Sequence, residues 1–431
     1  MTITPARSEA VGTVVRRRPL LPTAWPLLLA LYGYPLLWVL GLSSFIWSIL
    51  VLPVGIHLLR RPTVKAPPGT GIWIVFLAWV ALSAVQVDSG STAAVFVYRA
   101  STYLAAGVLY VYVYNLWLTR EEERQLLRAV AMFWGFLIVG GFAALVIPQV
   151  EFPSALEIVL PRSIANQEYV QQLIHPTMAQ LQTFLGYPVP RPAAPFTFTN
   201  TWGSNVGLLA PVFFYTLRTL EGWRRRLGIL VAGASLVPIV YSLNRGLWLG
   251  LAIVVVYAAV RYAIAGRVRP LIVTVAAGLV AVLAIALTPL GDLAEERAET
   301  GHSDSARMQL VEGALDAIAD SPLIGHGGTV RIPERESRAP AGTHGQLWMI
   351  AVSHGVPAAV MFLAFIGSAF IHTWRGGPSS LTFWCNAMLV VLASQLFIYT
   401  ILPSQLPIMM MVLVLAAREE DVPMPTLAVR T

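Results

Sequence analysis

Residues 129–147 read AVAMFWGFLIVGGFAALVI, an uncharged block of 19 residues that follows directly on Arg120, Arg124 and Arg128. At about 1.5 Å of rise per residue, a helix of that length matches a hydrocarbon layer about 30 Å thick. Apolar residues occupy every face of such a helix, so it cannot lie half in water. The arginines at one end mark the side of the membrane on which that end sits.

Blocks of the same kind recur outward from this one, at roughly 23–42, 43–59, 71–87, 95–118, 202–217, 227–243, 247–264, 271–290, 347–371, 381–399 and 402–417. The expected fold class is therefore all-α: a polytopic membrane protein of about 12 transmembrane helices with two long extracytoplasmic loops. Composition agrees. Of the 431 residues, 56% are hydrophobic and 12% charged, about half the charged share of a soluble domain.

The net charge of +7 is no nucleic-acid signature, because the basic residues sit in short clusters between apolar blocks. Cys385 is the single cysteine, which excludes an intrachain disulfide and a multi-cysteine metal site. Lys65 is the one lysine and lacks the Gly-Lys-Ser/Thr setting of a phosphate-binding loop.

Charge fixes the orientation. With the N-terminus inside, 20 of the 29 basic residues fall on the inner side, among them Arg16–Arg18, Arg60, Arg61, Arg224–Arg226, Arg261 and Arg418. The remaining nine are Arg99, Arg162, Arg191, Arg245, Arg297, Arg307, Arg331, Arg335 and Arg338. The division that follows is a cytoplasmic tail at 1–22, membrane helices 1–5 at 23–147, an extracytoplasmic loop at 148–201 and membrane helices 6–9 at 202–290. A large extracytoplasmic loop at 291–346, membrane helices 10–12 at 347–417 and a cytoplasmic tail at 418–431 complete it. The expected location is the bacterial cytoplasmic membrane, multi-pass, with both termini inside. The apolar stretch after Arg18 is too long for a signal-peptide core and is read as a retained span.

The second long loop contains Met308, Val311, Leu315 and Ile318 at helical spacing, capped by Ser303 or Asp304 and stopped by Pro322. This predicts an amphipathic helix on the membrane surface.

Arginines on the outer side run against the topology rule, so each calls for a reason. Arg245 lies in Ser242-Leu243-Asn244-Arg245-Gly246, Arg307 opens the loop helix, and Arg191 precedes Pro195–Gly203. A guanidinium holds two oxygens of a phosphate with parallel hydrogen bonds, so two or three such groups could hold a lipid diphosphate. The alternative is snorkelling to lipid headgroups or a surface salt bridge. His344, at the end of the second loop, could act as a general base; a solvated loop histidine is its plainer reading, as for His302, His326 and His354. Glu168, Asp304 and Glu312 are carboxylates that nothing in the sequence pairs. No His-x-x-x-His, His-Glu-x-x-His or Asp-x-Asp spacing occurs, so neither metal nor cofactor is expected.

In order and spacing these motifs resemble the O-antigen ligase and O-antigen polymerase superfamily of bacterial membrane glycosyltransferases. The resemblance is carried by Asn244-Arg245-Gly246, by Arg307 followed by Ser321-Pro322-Leu323-Ile324-Gly325-His326-Gly327, by His344 ahead of a span with His354-Gly355-Val356-Pro357 beyond it, and by Thr199–Gly203. It covers about 190–370. Asn244 stands where the family has serine, and Gly345 where it has asparagine. The resemblance implies metal-independent, inverting transfer of a glycan from an undecaprenyl-diphosphate-linked donor to a hydroxyl acceptor at the outer membrane face. Arg245, Arg307 and Arg191 would hold the diphosphate and His344 would take the acceptor proton. The implied partners are that donor, a glycan or other hydroxyl acceptor, and membrane lipid, with no nucleic acid. A transporter or flippase of the same lipid-linked sugar is the alternative; it would need charged residues deep in the spans. A subunit that only docks partners would tolerate loss of Arg245 and His344.

Overall fold

A computed structural model describes residues 23–183, 188–287, 302–330 and 340–420. The described chain is mostly helical. Its helices are α1 (Trp25–Tyr32), α2 (Tyr34–Val39), α3 (Ile46–Leu59), α4 (Thr70–Leu82), α5 (Gly90–Asn115), α6 (Arg120–Val146), α7 (Ala155–Val159), α8 (Arg162–Ala165) and α9 (Glu168–Ile174). After a hairpin come α10 (Thr199–Thr219), α11 (Gly222–Ala234), α12 (Leu236–Tyr241), α13 (Arg245–Ile264), α14 (Arg269–Leu287), α15 (His302–Asp320), α16 (Gln346–Thr373), α17 (Leu381–Gln395) and α18 (Gln405–Glu420).

Four of these, α5, α6, α13 and α16, are long and apolar enough to cross a membrane. Shorter apolar helices cover Ile46–Leu59, Thr70–Gln86, Arg269–Val280 and Leu381–Gln395. The expected spans 23–42 and 227–243 are not single helices. Pro35 breaks the first at Gly33, and Pro238 the second at Ser235, since proline cannot donate to the carbonyl four residues back.

The core is built from helix faces that interlock. α5 lies against α18, α3 and α4, while α10 lies against α6, α17 and α13. Trp73, Phe76, Phe362 and Phe365 meet with tilted rings between α4 and α16. At one end of the bundle, Arg418 donates to the carbonyls of Val113 and Leu116 (3.1 and 2.6 Å) and to Glu123 (3.2 Å). That guanidinium caps the C-terminal end of α5, adding to the Leu116 N–H that already donates to Val113 O.

The first long loop is not purely helical, which corrects the all-α expectation in detail. Strands β1 (Ala179–Thr183) and β2 (Pro188–Pro192) form an antiparallel hairpin in which Gln180 faces Arg191. Prolines at 188, 190 and 192 are tolerated because they alternate. Only every second residue of a strand donates to a given neighbour, so Val189 and Arg191 supply the ladder. Short helices α7–α9 fold beside the hairpin. Glu157 holds them together, accepting from Gln171 (3.0 Å) and bonding His175 Nδ1 (2.8 Å). Burial works to raise the Glu157 carboxyl, but these bonds outweigh it and the group lies below the usual glutamate range.

α16 carries a kink that organises its surroundings. Pro357 has no N–H for the Ser353 carbonyl, and Gly355 adopts φ +84°, turning the Val356 N–H away to Pro322 O (2.8 Å). The two released carbonyls are satisfied by the turn after α15: His326 N–H donates to Val352 O (2.9 Å) and Gly327 N–H to Ser353 O (2.8 Å). A side chain at Gly355 would come within 2.1 Å of the Leu323 carbonyl, so the approach requires glycine. α15 docks here through Ala314 and Ala317 against Val352. Met308 and Leu315 of the expected apolar stripe remain exposed; the small residues, not the large ones, allow close contact with α16.

Candidate functional site

The first residues of α5, the α9–β1 segment, β2, the entry to α10, the stretch ahead of α16 and residues 398–403 enclose a cavity of about 1430 Å³. It lies at the end of the bundle away from Arg418: the wall uses α5 from Gly90 to Arg99, about 24 Å along the helix from Asn115. Both Arg191 and His344 line it.

Arg191 is placed by the hairpin. Its Nε donates to the Ser242 carbonyl (2.7 Å) and one terminal nitrogen to Gln182 Oε1; the side chain is buried. The Ser242 contact joins the first loop to the turn before α13. In that turn Leu243 has φ +50°, a conformation that costs an L-residue about 1–2 kcal/mol and that the surroundings must hold. Asn244 caps α13 by accepting from the Leu247 N–H (3.1 Å), and its amide donates to Thr199 O (3.3 Å). The Tyr399 hydroxyl, on the cavity wall, donates to Asn244 Oδ1. Asparagine in place of serine thus has a clear use: it reaches three partners that a hydroxymethyl could not span together.

Arg245 is the first residue of α13 and is exposed. It does not line the cavity itself, although its neighbour Asn244 is bonded to the wall. A guanidinium at a helix N-terminus adds to the positive end of the helix dipole, where an anion is favoured. Arg307 is the sixth residue of α15, and its side chain lies outside the described residues. His302 and Asp304 belong to the same helix, and their side chains too lie outside the described residues.

His344 is exposed at the cavity, with Nδ1 3.0 Å from the Thr343 hydroxyl. Thr343 Oγ1 donates to Pro340 O (2.7 Å), so its single proton is committed and its oxygen accepts from Nδ1–H. Nε2 is then the basic nitrogen. The position is fixed from behind by Gln346, fully buried, which donates to Tyr103 Oη (2.8 Å) and accepts from the Ile401 N–H (3.0 Å). Gly345, the departure from asparagine, has φ +100° and lies so close to the Phe397 carbonyl that a Cβ would come within 2.6 Å. Backbone packing dictates that residue.

The other histidines divide by role. His326 Nε2 bonds Ala317 O (2.8 Å) and closes the turn. The amides of His326 and Gly327 in that Gly-rich turn are spent on α16. His354 is buried; Ser83 gives its proton to Val80 O (2.7 Å), so its oxygen accepts from His354 Nδ1–H (2.7 Å). Among the described residues no three His, Cys, Asp or Glu side chains gather as metal ligands.

Sequence reasoning passes over two residues of the wall. Arg99 is buried on α5 and donates to Ser353 Oγ (3.3 Å). Tyr169, on α9, has its hydroxyl beside Arg99; burial raises its pKa while the guanidinium opposes the rise. An arginine inside the expected span 95–118 was the available signal for the first. Nothing in the sequence marks the second.

Comparison with known proteins bears on the segment that holds Arg245, Arg307 and His344. No curated protein matches the chain. Residues 228–363 match the model of a family described as O-antigen ligase; over that segment the chain is similar to that family.

Proposed function

We propose that the protein transfers or polymerises glycan from an undecaprenyl-diphosphate-linked donor onto a hydroxyl acceptor at the outer face of the cytoplasmic membrane, without a metal. The observation that carries this reading is the cavity wall shared by Arg191 and His344, set beside the family match over 228–363. One surface then offers a fixed cation and a base, the two groups such a transfer needs.

In this reading the acceptor hydroxyl attacks the anomeric carbon of the donor sugar from the side opposite the diphosphate. The new carbon–oxygen bond forms as the bond to the diphosphate oxygen breaks, inverting the configuration. His344 Nε2 takes the hydroxyl proton. Arg191, Arg245 and Arg307 hold the charge that collects on the departing lipid diphosphate, an interaction strongest as the bond breaks. Both termini and the basic clusters lie inside, and the loops 148–201 and 291–346 outside.

The test is transfer by the purified full chain in proteoliposomes, supplied with lipid-diphosphate-linked oligosaccharide and a panel of acceptors. The expected result is an inverted glycosidic product, unchanged by chelator. Movement of donor across the bilayer with no product on any acceptor would support the flippase reading instead, and a metal requirement would count against the mechanism.

A further inference from the structure

Arg99 is the tenth residue of α5, about 14 Å from the start of that helix. It is 8% exposed, and what exposure it has opens on the cavity. Among the described residues no carboxylate pairs with it. It donates to the Ser353 hydroxyl (3.3 Å), with the Tyr169 hydroxyl nearby, although a guanidinium carries five donors. Ser353 lies in the kink of α16, where its own carbonyl and that of Val352 accept from the turn amides while its hydroxyl accepts from Arg99.

A buried charge with neutral partners is costly to hold. Snorkelling does not explain it, because the side chain is enclosed between α5, α9 and α16 instead of reaching the bundle exterior. An arginine needed for packing alone would be cheaper as a neutral residue. We propose that Arg99 is a phosphate-binding residue in the cavity wall, taking an oxyanion of a lipid-borne diphosphate at headgroup depth. The depth favours a lipid-borne phosphate: Arg99 lies four residues into the span expected from 95, about 6 Å below its outer edge. Arg191, on the hairpin, would meet the same group from above. This inference rests on the donor class proposed above and adds a site outside the family-matched segment.

The test is binding of undecaprenyl diphosphate to the full chain in nanodiscs, with thermal unfolding recorded with and without the lipid. Arg99→Gln should weaken binding about 10–100-fold, as for loss of a charged hydrogen bond, while the ligand-free midpoint is kept or raised. Arg99→Lys should bind with intermediate affinity, since it keeps charge without the fork. If Arg99→Gln does not fold, Arg99→Met makes the same comparison without a buried amide. Wild-type affinity in either neutral variant would overturn the proposal, as would a lowered ligand-free midpoint with unchanged binding. Inorganic diphosphate and phosphatidylglycerol should compete weakly; displacement by phosphatidylglycerol at equal concentration would reduce Arg99 to a general lipid contact and overturn it. Failure of the wild type itself to bind undecaprenyl diphosphate would instead remove the donor assignment.

Discussion

Arg245, proposed to hold the diphosphate, depends for its position on the residues around it. Its backbone is held at the start of α13 by a strained Leu243, the Asn244 cap and the Tyr399 bond to that cap. Arg245→Ala should lower transfer about 10–100-fold, the range for one charged hydrogen bond, with Arg245→Lys recovering little if the contact is bidentate. Arg307→Ala should behave alike. Steady-state transfer by purified variants checks this, and normal rates would remove that residue from the clamp. The sequence exposed Arg245 and His344 because both break a pattern, a cation on the wrong side and a histidine at a span edge. It could not show that Arg191 turns inward, since that follows from a hairpin whose alternating prolines resemble an unstructured loop.

Two local elements carry the geometry. In α16, Gly355→Ala places a side chain at φ +84° against the Leu323 carbonyl and should destabilise by at least about 1–2 kcal/mol, seen as a lower thermal midpoint. An unchanged midpoint would mean that the kink is not fixed by that contact. In the first loop, the depressed Glu157 pKa contributes stability that is present above the ordinary glutamate value and lost as pH falls through the lower folded value. Pepsin cleavage within residues 155–175 should therefore begin as pH drops below the glutamate range in the wild type, while Glu157→Gln is cleaved without that pH onset; an identical onset in both would assign the loosening to other groups. Long uncharged apolar blocks made the mostly helical character legible, because burial in lipid or core excludes charge over many residues. The kink was less legible: His354-Gly355-Val356-Pro357 reads as a turn motif, but the carbonyls it releases are visible only once the 322–327 turn is seen against them.

For the molecule as a whole, the uneven distribution of basic residues predicts sidedness. Cys385 is fully buried, so it should stay silent toward a membrane-impermeant maleimide. Ser163→Cys, on the exposed first loop, should label in intact cells, and Ser379→Cys only after permeabilisation; the reverse pattern would invert the topology. The cavity unites residues separated by most of the chain, from α5 to 398–403, which explains why spacing alone did not connect Arg99 to His344. The most direct measurement is glycan transfer in proteoliposomes by wild type and His344→Ala, with donor binding measured in parallel. Loss of transfer by about 10²–10⁴-fold, with donor binding retained, is the predicted result; equal transfer by both proteins would contradict a base at His344.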